Sequence, residues 1–386
     1  MEARDVDRRL SNVDWDFAQA KTSGGTHWFH PYPAKFIPQI PARLVAGLSS
    51  PGEVVLDPFC GSGTTLVEAI AAGRSALGAD VNPVAVLVAR AKTLRLDDGD
   101  VEAVGDLLRT IEAWRDTAAG RLRLMPLSDP QILIPADEAI DFWFEPAITA
   151  ELGLIAGAVS QCQSAKARLL AKVALSAIIV GVSKQDSDTR YVRREKKLKP
   201  SVAIHRFKAR AQKMVAALPR LAGGEGVSAE AWIGDARRLP LASGCADLAV
   251  TSPPYPNAYS YYLYHRTRLL WLGFDPAALK QIEIGNHRHY SARNGASRAT
   301  FRADMTACFR ELRRVLRPRR YACFVIGDSM IRGEVVHNDL VLNEAAADAG
   351  FTLAESYGRS IDLGRKSFNP AIGKIKREHI LVFRAP

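Results

Sequence analysis

The feature that most constrains the fold of this chain is an ordered succession of apolar runs, glycines and an acid between residues 54 and 80. An apolar run at Val54–Leu56 indicates a buried strand, and the loop after it contains Gly61 and Gly63. A helical segment follows, and a second apolar run is closed by Asp80. Strand, glycine loop, helix, strand and acid in this order open a doubly wound α/β sheet, so we predict that class of fold.

The rest of the chain divides into segments of different character. Residues 1–25 are polar and predict a loosely ordered N-terminal arm. We predict a Rossmann-like domain from residues 26–99 and 226–386, which carries a mainly helical insertion at 100–225. Helical segments are predicted at 101–115, 146–161, 165–182 and 202–218, and later strands at 231–233, 246–250, 321–326 and 378–383.

The charge of the chain favours a polyanionic partner. It has 52 lysines and arginines against 41 acidic residues, a net charge of +11, and binding to phosphates releases counterions. The excess is concentrated in the second half of the insertion, where a solvated loop and a polar helix face are the alternative explanation. We select five candidate DNA contacts there, Arg190, Arg193, Arg194, Lys196 and Lys197.

Several classes of protein are excluded by composition. An uninterrupted apolar run of about 18 residues is absent, so we expect no membrane partner, and the polar start predicts a cytoplasmic protein. The five cysteines form no CxxC pair and lack zinc-finger spacing to a histidine. We therefore expect buried free thiols and no metal.

The loop after the first strand has the chemistry of a cofactor site. Its glycines permit a tight turn that a ligand can approach closely, and an acid at the strand end suits a cationic group. The string Asp57–Thr65 resembles the S-adenosylmethionine motif of amino-methylating DNA methyltransferases, whose usual form is D-P-F-x-G-S-G-T-T. This resemblance implies that Asp57, Phe59, Gly61 and Gly63 line the methionine end of S-adenosylmethionine.

The same resemblance extends to other segments. Asp80 matches the acid that binds the ribose hydroxyls, and Asp235 matches the residue that accepts from the adenine amino group. The stretch 30–36 resembles the N-terminal motif that supports the cofactor, which implies roles for His30 and Phe36, although a proline-rich entry segment also explains it.

A second motif, Thr251–Tyr255, follows the apolar strand near residue 250. An exocyclic base amine is a poor nucleophile, because its lone pair is delocalised into the ring. Acceptors for its hydrogens let the nitrogen pyramidalise, and the Ser252 side chain and Pro253 carbonyl suit that role beside rigid Pro254. Tyr255 would stack on a base that has left the duplex. We predict these four residues as the catalytic strip.

The strip resembles the [DNS]-P-P-[YFW] motif of the same family, in which the serine form is most usual in cytosine-N4 enzymes. Adenine N6 therefore stays open as the target. C5 methylation is less favoured, since no cysteine follows a proline here. We predict a site-specific methyltransferase acting on double-stranded DNA. A cognate restriction endonuclease is an open partner, and an RNA base methyltransferase and a non-catalytic DNA-binding protein remain the alternatives.

The resemblance covers roughly residues 30–92 and 230–384, largely outside the insertion. Target recognition is therefore expected in 100–225, with the loop Lys280–Arg302 as the competing region. The family usually ends the later helix R-V-L-K-P-G-G, whereas Arg314–Arg320 lacks both glycines, which puts the turn conformation in doubt. Arg359 and the stretch Lys366–Asn369 resemble the late loop near the target base.

Overall fold

The computed structural model describes residues 6, 9–35, 37–119, 132–218, 226–257, 259–291, 293, 295–360 and 377–386. In chain order the strands are β1 (Val54–Asp57), β2 (Ser75–Asp80), β3 (Gln185–Ser187), β4 (Arg190–Arg193), β5 (Ala229–Ile233), β6 (Ala246–Thr251), β7 (Leu316–Gly327), β8 (Ser329–Ile331), β9 (Glu334–Val336), β10 (Thr352–Ser360) and β11 (Arg377–Arg384). The helices are α1 (Gln39–Leu48), α2 (Thr64–Ala71), α3 (Pro83–Lys92), α4 (Asp98–Ala119), α5 (Ala139–Trp143), α6 (Pro146–Gln161), α7 (Ala165–Val182), α8 (Val202–Ala217), α9 (Tyr261–Tyr264), α10 (Arg266–Trp271), α11 (Pro276–Ile282), α12 (Arg298–Val315) and α13 (Asn338–Asp348).

Within the described ranges, seven strands form one sheet in the order β10-β11-β7-β6-β1-β2-β5. Strand β11 is antiparallel to both β10 and β7, and the other neighbouring strands are parallel. The strand order reverses between β1 and β6, and a doubly wound sheet opens a crevice at such a point, beyond the carboxyl ends of its strands. The predicted fold class is confirmed.

Both faces of the sheet are covered, which explains why its strands are continuous apolar runs. On β7, Cys323 and Val325 pack into the same cluster as residues of α1 and α2. The intervening Phe324 and Ile326 point to the opposite face, where α12 and α13 supply Phe309 and other apolar side chains. The alternation of a strand thus divides β7 between two cores.

The described part of the insertion is mainly helical, as predicted, and two of its helices, 146–161 and 165–182, have the predicted bounds. Its apolar cluster includes Val84 and Val88 of α3 together with Leu170 and Val173 of α7. The insertion and α3 therefore share one core. A short antiparallel hairpin, β3–β4, was not predicted and lies in the basic stretch. The division into domains at 99 and 226 stays a prediction.

Three apolar side chains among the described residues of the N-terminal arm are packed against the domain, whereas the sequence predicted loose order. Val6, Leu10 and Trp15 are buried in the cluster that includes α1 and the sheet. The ring of Trp15 lies 5.5 Å from that of Tyr357 on β10. The segment is polar on average, but it contains a few apolar residues, and these three pack together in one cluster.

The turn that lacks the family glycines keeps a glycine-like backbone. Arg319 has a φ of +61°, in the left-handed region. Its neighbours Arg317 and Arg320 both pair with the buried Asp247, at 2.6 and 3.0 Å. These ion pairs hold the turn in a conformation that glycine would adopt at less cost.

The structure also shows β8, β9 and β10, which the sequence did not predict. No helix in the described residues is long and apolar enough to cross a membrane.

Candidate active-site cleft

A cleft opens where β1, β2, β5 and β6 end, at the reversal of strand order. Its empty space is about 790 Å³, part of it open to solvent. The lining comes from distant segments and includes Tyr32, Lys35, Phe59, Gly61, Ser62, Asp80, Asn82, Gly234, Asp235, Ser252, Pro254, Tyr261, Ile282 and Glu283. Residues of both predicted motifs therefore meet in one cavity.

The glycine loop is held against β2 and α3. Gly61 has a φ of +48° and donates its amide to Asp80 Oδ2 at 2.9 Å. Gly63 has a φ of +78°, and a Cβ there would lie 2.8 Å from the Cα of Ala89 on α3. Gly61 faces the cleft, whereas Gly63 is required for the close approach of two helices and does not line the cleft.

Two carboxyl groups lie at the strand ends, that of Asp57 buried and that of Asp80 half-buried. Burial raises the pKa of Asp57 to about 7 and that of Asp80 to about 6. Asp57 Oδ1 accepts from Thr251 Oγ1 at 2.6 Å, which joins the end of β1 to the end of β6. Asp57 Oδ2 is buried without a hydrogen bond, and the residue lies beneath the cleft. Asp80 lines the cleft itself.

Asp235 also lines the cleft, but its carboxylate is already engaged. Arg237 donates Nε to Asp235 Oδ1 at 3.0 Å and Nη2 to Oδ2 at 2.7 Å. Arg237 also pairs with Asp304 at 2.7 Å. Because a carboxylate has about four acceptor sites, Asp235 can accept a further hydrogen bond while Arg237 fixes its orientation.

The segment ahead of β1 contributes residues other than those predicted. His30 is buried behind the cleft, with Nε2 3.0 Å from Ser176 Oγ in the insertion, so it does not line the cavity. Phe36 lies outside the described residues. Tyr32 and Lys35 line the cleft instead, and Tyr32 accepts from Asn82 Nδ2 at 3.1 Å. The sequence could have indicated these two residues, because they lie in the same stretch, 30–36, as His30.

The strip Ser252–Tyr255 leaves the end of β6 and passes along the cleft. Ser252 and Pro254 line the cavity, and Pro253 is buried between them. Tyr255 donates its hydroxyl to Glu378 Oε1 on β11 at 2.9 Å. Burial raises the pKa of Tyr255 well above its usual range, and the Glu378 carboxylate raises it further, so the phenol stays protonated.

A wall that the sequence did not predict covers the strip. Leu279, Ile282, Glu283 and Ile284 line the cleft opposite the sheet. A Cβ at Gly285, whose φ is +77°, would lie 2.8 Å from the Tyr255 carbonyl oxygen. Burial raises the pKa of Glu283 to about 8. Part of the loop 280–302 therefore lines the cleft. The close approach to the Tyr255 carbonyl explains why position 285 is a glycine.

The five basic residues selected from the sequence are not equivalent. Arg190, Arg193, Arg194 and Lys197 are exposed, whereas Lys196 points inward and donates Nζ to the carbonyls of Val180 and Gln185, at 2.8 and 2.6 Å.

The hairpin that carries part of this basic stretch is fixed near the strip. Tyr259, four residues beyond Tyr255, donates its hydroxyl to the Asp188 carbonyl at 2.7 Å, and Arg268 pairs with the Asp188 side chain. The exposed arginines therefore lie on an element that is attached to the segment following the strip.

Comparison with known proteins gives matches to methyltransferases, each over part of the chain. Residues 6–90 match the family described as DNA methylase. The chain is 31% identical over 150 residues to type II methyltransferase M.MvaI of Kocuria varians, which is 38% of this chain and 32% of that protein. It is 37% identical over 68 residues to DNA adenine methyltransferase YhdJ of Escherichia coli, 18% of this chain and 22% of that protein.

A TehB-like SAM-dependent methyltransferase structure from Corynebacterium glutamicum aligns over 90% of this chain and 87% of its own, at a TM-score of 0.32 and 11% identity. The matched stretches span about a third or less of the length of the curated relatives. The family match includes the glycine loop and Asp80. Residues 6–90 are therefore similar to the DNA methylases.

Proposed function

We propose that this chain transfers a methyl group from S-adenosylmethionine to an exocyclic amine of a base in double-stranded DNA, with cytosine N4 as the favoured target. The observation that carries the proposal is the meeting of two motifs in one cleft. Ser252 and Pro254 line the same cavity as Gly61, Asp80 and Asp235. A methyl donor and an acceptor base held there would be in direct contact.

The residues of the cleft suit S-adenosylmethionine, which supplies a methyl group on a sulfonium when bound. Carboxyl groups with raised pKa values favour a ligand that brings positive charge, and Asp57 Oδ2 has an unused acceptor site. In this proposal Asp80 accepts from the ribose hydroxyls and Asp235 from the adenine amino group. Gly61 and Phe59 cover the methionine end, with Asp57 behind them.

The strip would prepare the target amine. The Ser252 hydroxyl and the Pro253 carbonyl accept the two amine hydrogens, so that the nitrogen lone pair turns out of conjugation toward the methyl group. Tyr255 offers its ring face to the flipped base, and stacking offsets part of the cost of unpairing, which is on the order of a few kcal/mol. These groups position and polarise the amine, and none of them becomes covalently bonded.

The basic hairpin is proposed as a DNA contact through Arg190, Arg193, Arg194 and Lys197. The attachment of the hairpin to Tyr259 supports this proposal, because Tyr259 follows the strip by four residues. Lys196 supports the hairpin rather than contacting phosphate, because its ammonium is bonded to two carbonyls. The insertion 100–225 is proposed as the target-recognition region, as in the sequence-based prediction.

Incubation with methyl-labelled S-adenosylmethionine and either duplex DNA or bulk RNA tests the proposal. We expect label in DNA; label in RNA alone would contradict it, and label in neither would favour a DNA-binding protein. Digestion to nucleosides should release N4-methylcytosine. N6-methyladenine as the sole product would overturn the cytosine assignment in favour of the adenine alternative, which the similarity to YhdJ supports.

Variants of the strip connect the activity to this cleft. Ser252→Ala and Tyr255→Ala should each lower kcat by roughly 10²–10³-fold, with the Kd for S-adenosylmethionine within about twofold of wild type. The exposed turn residue Ser243→Ala is the control and should be active. Full activity of Ser252→Ala would mean that another group accepts the amine hydrogens.

Mapping the methylated DNA sequence also provides a test for a partner endonuclease. We propose a cognate restriction endonuclease, in line with the type II relative M.MvaI. It should cut the mapped sequence only when that sequence is unmethylated. An endonuclease that cuts methylated and unmethylated sites equally would not be such a partner.

A further inference from the structure

The aromatic ring of the strip is anchored at its hydroxyl group. Tyr255 donates to Glu378 Oε1 at 2.9 Å, and Glu378 pairs in register with Gly327 at the carboxyl end of β7. The ring itself packs against the core between the sheet and α12. A tyrosine that is fixed at its hydroxyl and along its ring cannot readily change the plane of that ring.

The carboxylate that receives this hydrogen bond is itself held. Arg359 on β10 donates Nη1 to Glu378 Oε2 at 2.7 Å, and the two residues are register partners across the strands. Both side chains are mostly buried, 9% and 14% exposed. One oxygen of Glu378 is engaged by Tyr255 and the other by Arg359, so rotation of the carboxylate would break one of the two contacts.

The N-terminal arm holds the far end of this chain of contacts. Arg359 Nε donates to the Trp15 carbonyl at 3.1 Å, and the next amide, of Ser360, donates to Asp16 Oδ1 at 2.6 Å. The packing of Trp15 on Tyr357 fixes the arm in place. Three successive hydrogen-bonded contacts thus connect the arm, β10, β11 and the strip.

We propose that Glu378 and Arg359 are positioning residues for the target base, which set the plane of the Tyr255 ring before the base arrives. The inference rests on the proposed function, because it assigns the ring to stacking on a flipped base. A platform that is ordered in advance does not lose rotational freedom when the base stacks on it. A role in the fold alone would affect the stability of the sheet edge and leave turnover unchanged.

Two conservative variants test the positioning role. Tyr255→Phe retains the ring and removes the anchor, and Glu378→Gln retains the shape and weakens the pairing with Arg359. On a duplex that contains the mapped site, each should lower kcat roughly 10- to 100-fold, with the Kd for S-adenosylmethionine unchanged. The double variant should be no worse than Tyr255→Phe alone, because without the Tyr255 hydroxyl the side chain at position 378 no longer holds the ring.

The control is Asp348→Asn, which removes an exposed ion pair with Arg302 and should leave kcat unchanged. If Glu378→Gln is too unstable to assay, Tyr255→Phe still tests the positioning role, because it leaves the Arg359–Glu378 pair between β10 and β11 intact. Unchanged kcat in Tyr255→Phe, or additive losses in the double variant, would overturn the inference.

A measurement independent of activity separates this inference from the proposed function. With 3-fluorotyrosine at position 255, the ¹⁹F NMR signal of the ligand-free protein should move and broaden on Glu378→Gln. An unchanged signal would refute the anchor even if the enzyme methylates DNA. If the signal responds but wild type transfers no methyl group, the proposed function fails and the positioning role for a base fails with it.

Discussion

The cofactor side and the target side of the cleft are constructed in different ways. On the cofactor side, Gly61 and Asp80 lie within one strand–loop–helix–strand unit and contact each other directly. On the target side, the strip is covered by Gly285 and anchored through Glu378, which lies more than a hundred residues away in sequence. The first side is determined locally, and the second depends on the tertiary fold.

The largest expected effects come from one alanine on each side. Gly63→Ala adds a left-handed alanine and a contact at 2.8 Å to Ala89, so we expect a loss of about 2–4 kcal/mol in the free energy of unfolding. Gly285→Ala meets the Tyr255 carbonyl at the same distance and should displace the strip. We expect a roughly 100-fold fall in kcat with cofactor binding retained. Chemical denaturation, cofactor titration and single-turnover kinetics measure these effects.

Gly244→Ala is the matched control, because Gly244 has a φ of +62° with nothing within 4 Å of an added Cβ. It should cost only the backbone strain, about 1 kcal/mol, and leave both Kd and kcat intact. A loss of cofactor affinity in Gly285→Ala, or unchanged stability in Gly63→Ala, would contradict this distinction between the two sides.

The next effect concerns pH and belongs to the cofactor side. Asp57 and Asp80, with pKa values of about 7 and 6, are increasingly protonated as the pH falls through those values. A cationic ligand favours the ionised carboxylates, so protons compete with it. The Kd for S-adenosylmethionine should rise as the pH falls from 8 to 6, at most about tenfold per unit for each group. Calorimetric titration at several pH values measures this.

Glu283 has a pKa of about 8 in the same cleft and titrates in a neighbouring range. Comparison with Glu283→Gln isolates its share, and Asp80→Asn should remove the step near pH 6. A Kd that is constant from pH 6 to 8 in wild type would show that binding of the ligand does not depend on the ionised forms of these carboxyl groups.

A smaller effect is expected on the target side, at the hairpin. Replacing Arg190, Arg194 and Lys197 by alanine should weaken DNA binding and reduce the slope of log K against log salt by roughly one per lost phosphate contact. Fluorescence anisotropy at several salt concentrations measures the slope. If Arg288→Ala and Arg293→Ala reduce it instead, the loop 280–302 is the DNA contact and the hairpin is a solvated surface.

The smallest effect is a gain at the turn that lacks glycines. Arg319→Gly should stabilise the protein by about 0.5–1 kcal/mol, because Arg319 occupies the left-handed region at φ +61°. Thermal denaturation would detect it, and activity should not change on either side of the cleft. Destabilisation would mean that Arg319 contributes contacts that outweigh the strain of its backbone.

The sequence predicted the parts of the site that are determined by neighbours along the chain. The class of fold, β1 with its glycine loop, Asp80 and the position of the strip all follow from local patterns, because strand ends on one edge of a parallel sheet must meet. The wall at 279–286, the pair Arg359–Glu378 and the packed arm could not be predicted in this way. Their partners are far apart in sequence, and β10, whose exposed and partly buried residues lack an apolar run, gave no clear strand signal.

The shared core of the insertion and α3 has a consequence for attempts to exchange recognition regions between relatives. Val84 and Val88 of α3 pack with Leu170 and Val173 of α7, so excising residues 100–225 would expose an apolar helix face beside the glycine loop. A chimera joined at those bounds should aggregate or lose affinity for its methyl donor. A transplant should therefore include α3 together with the insertion. Such a transplant would keep the packed faces of α3 and α7 together.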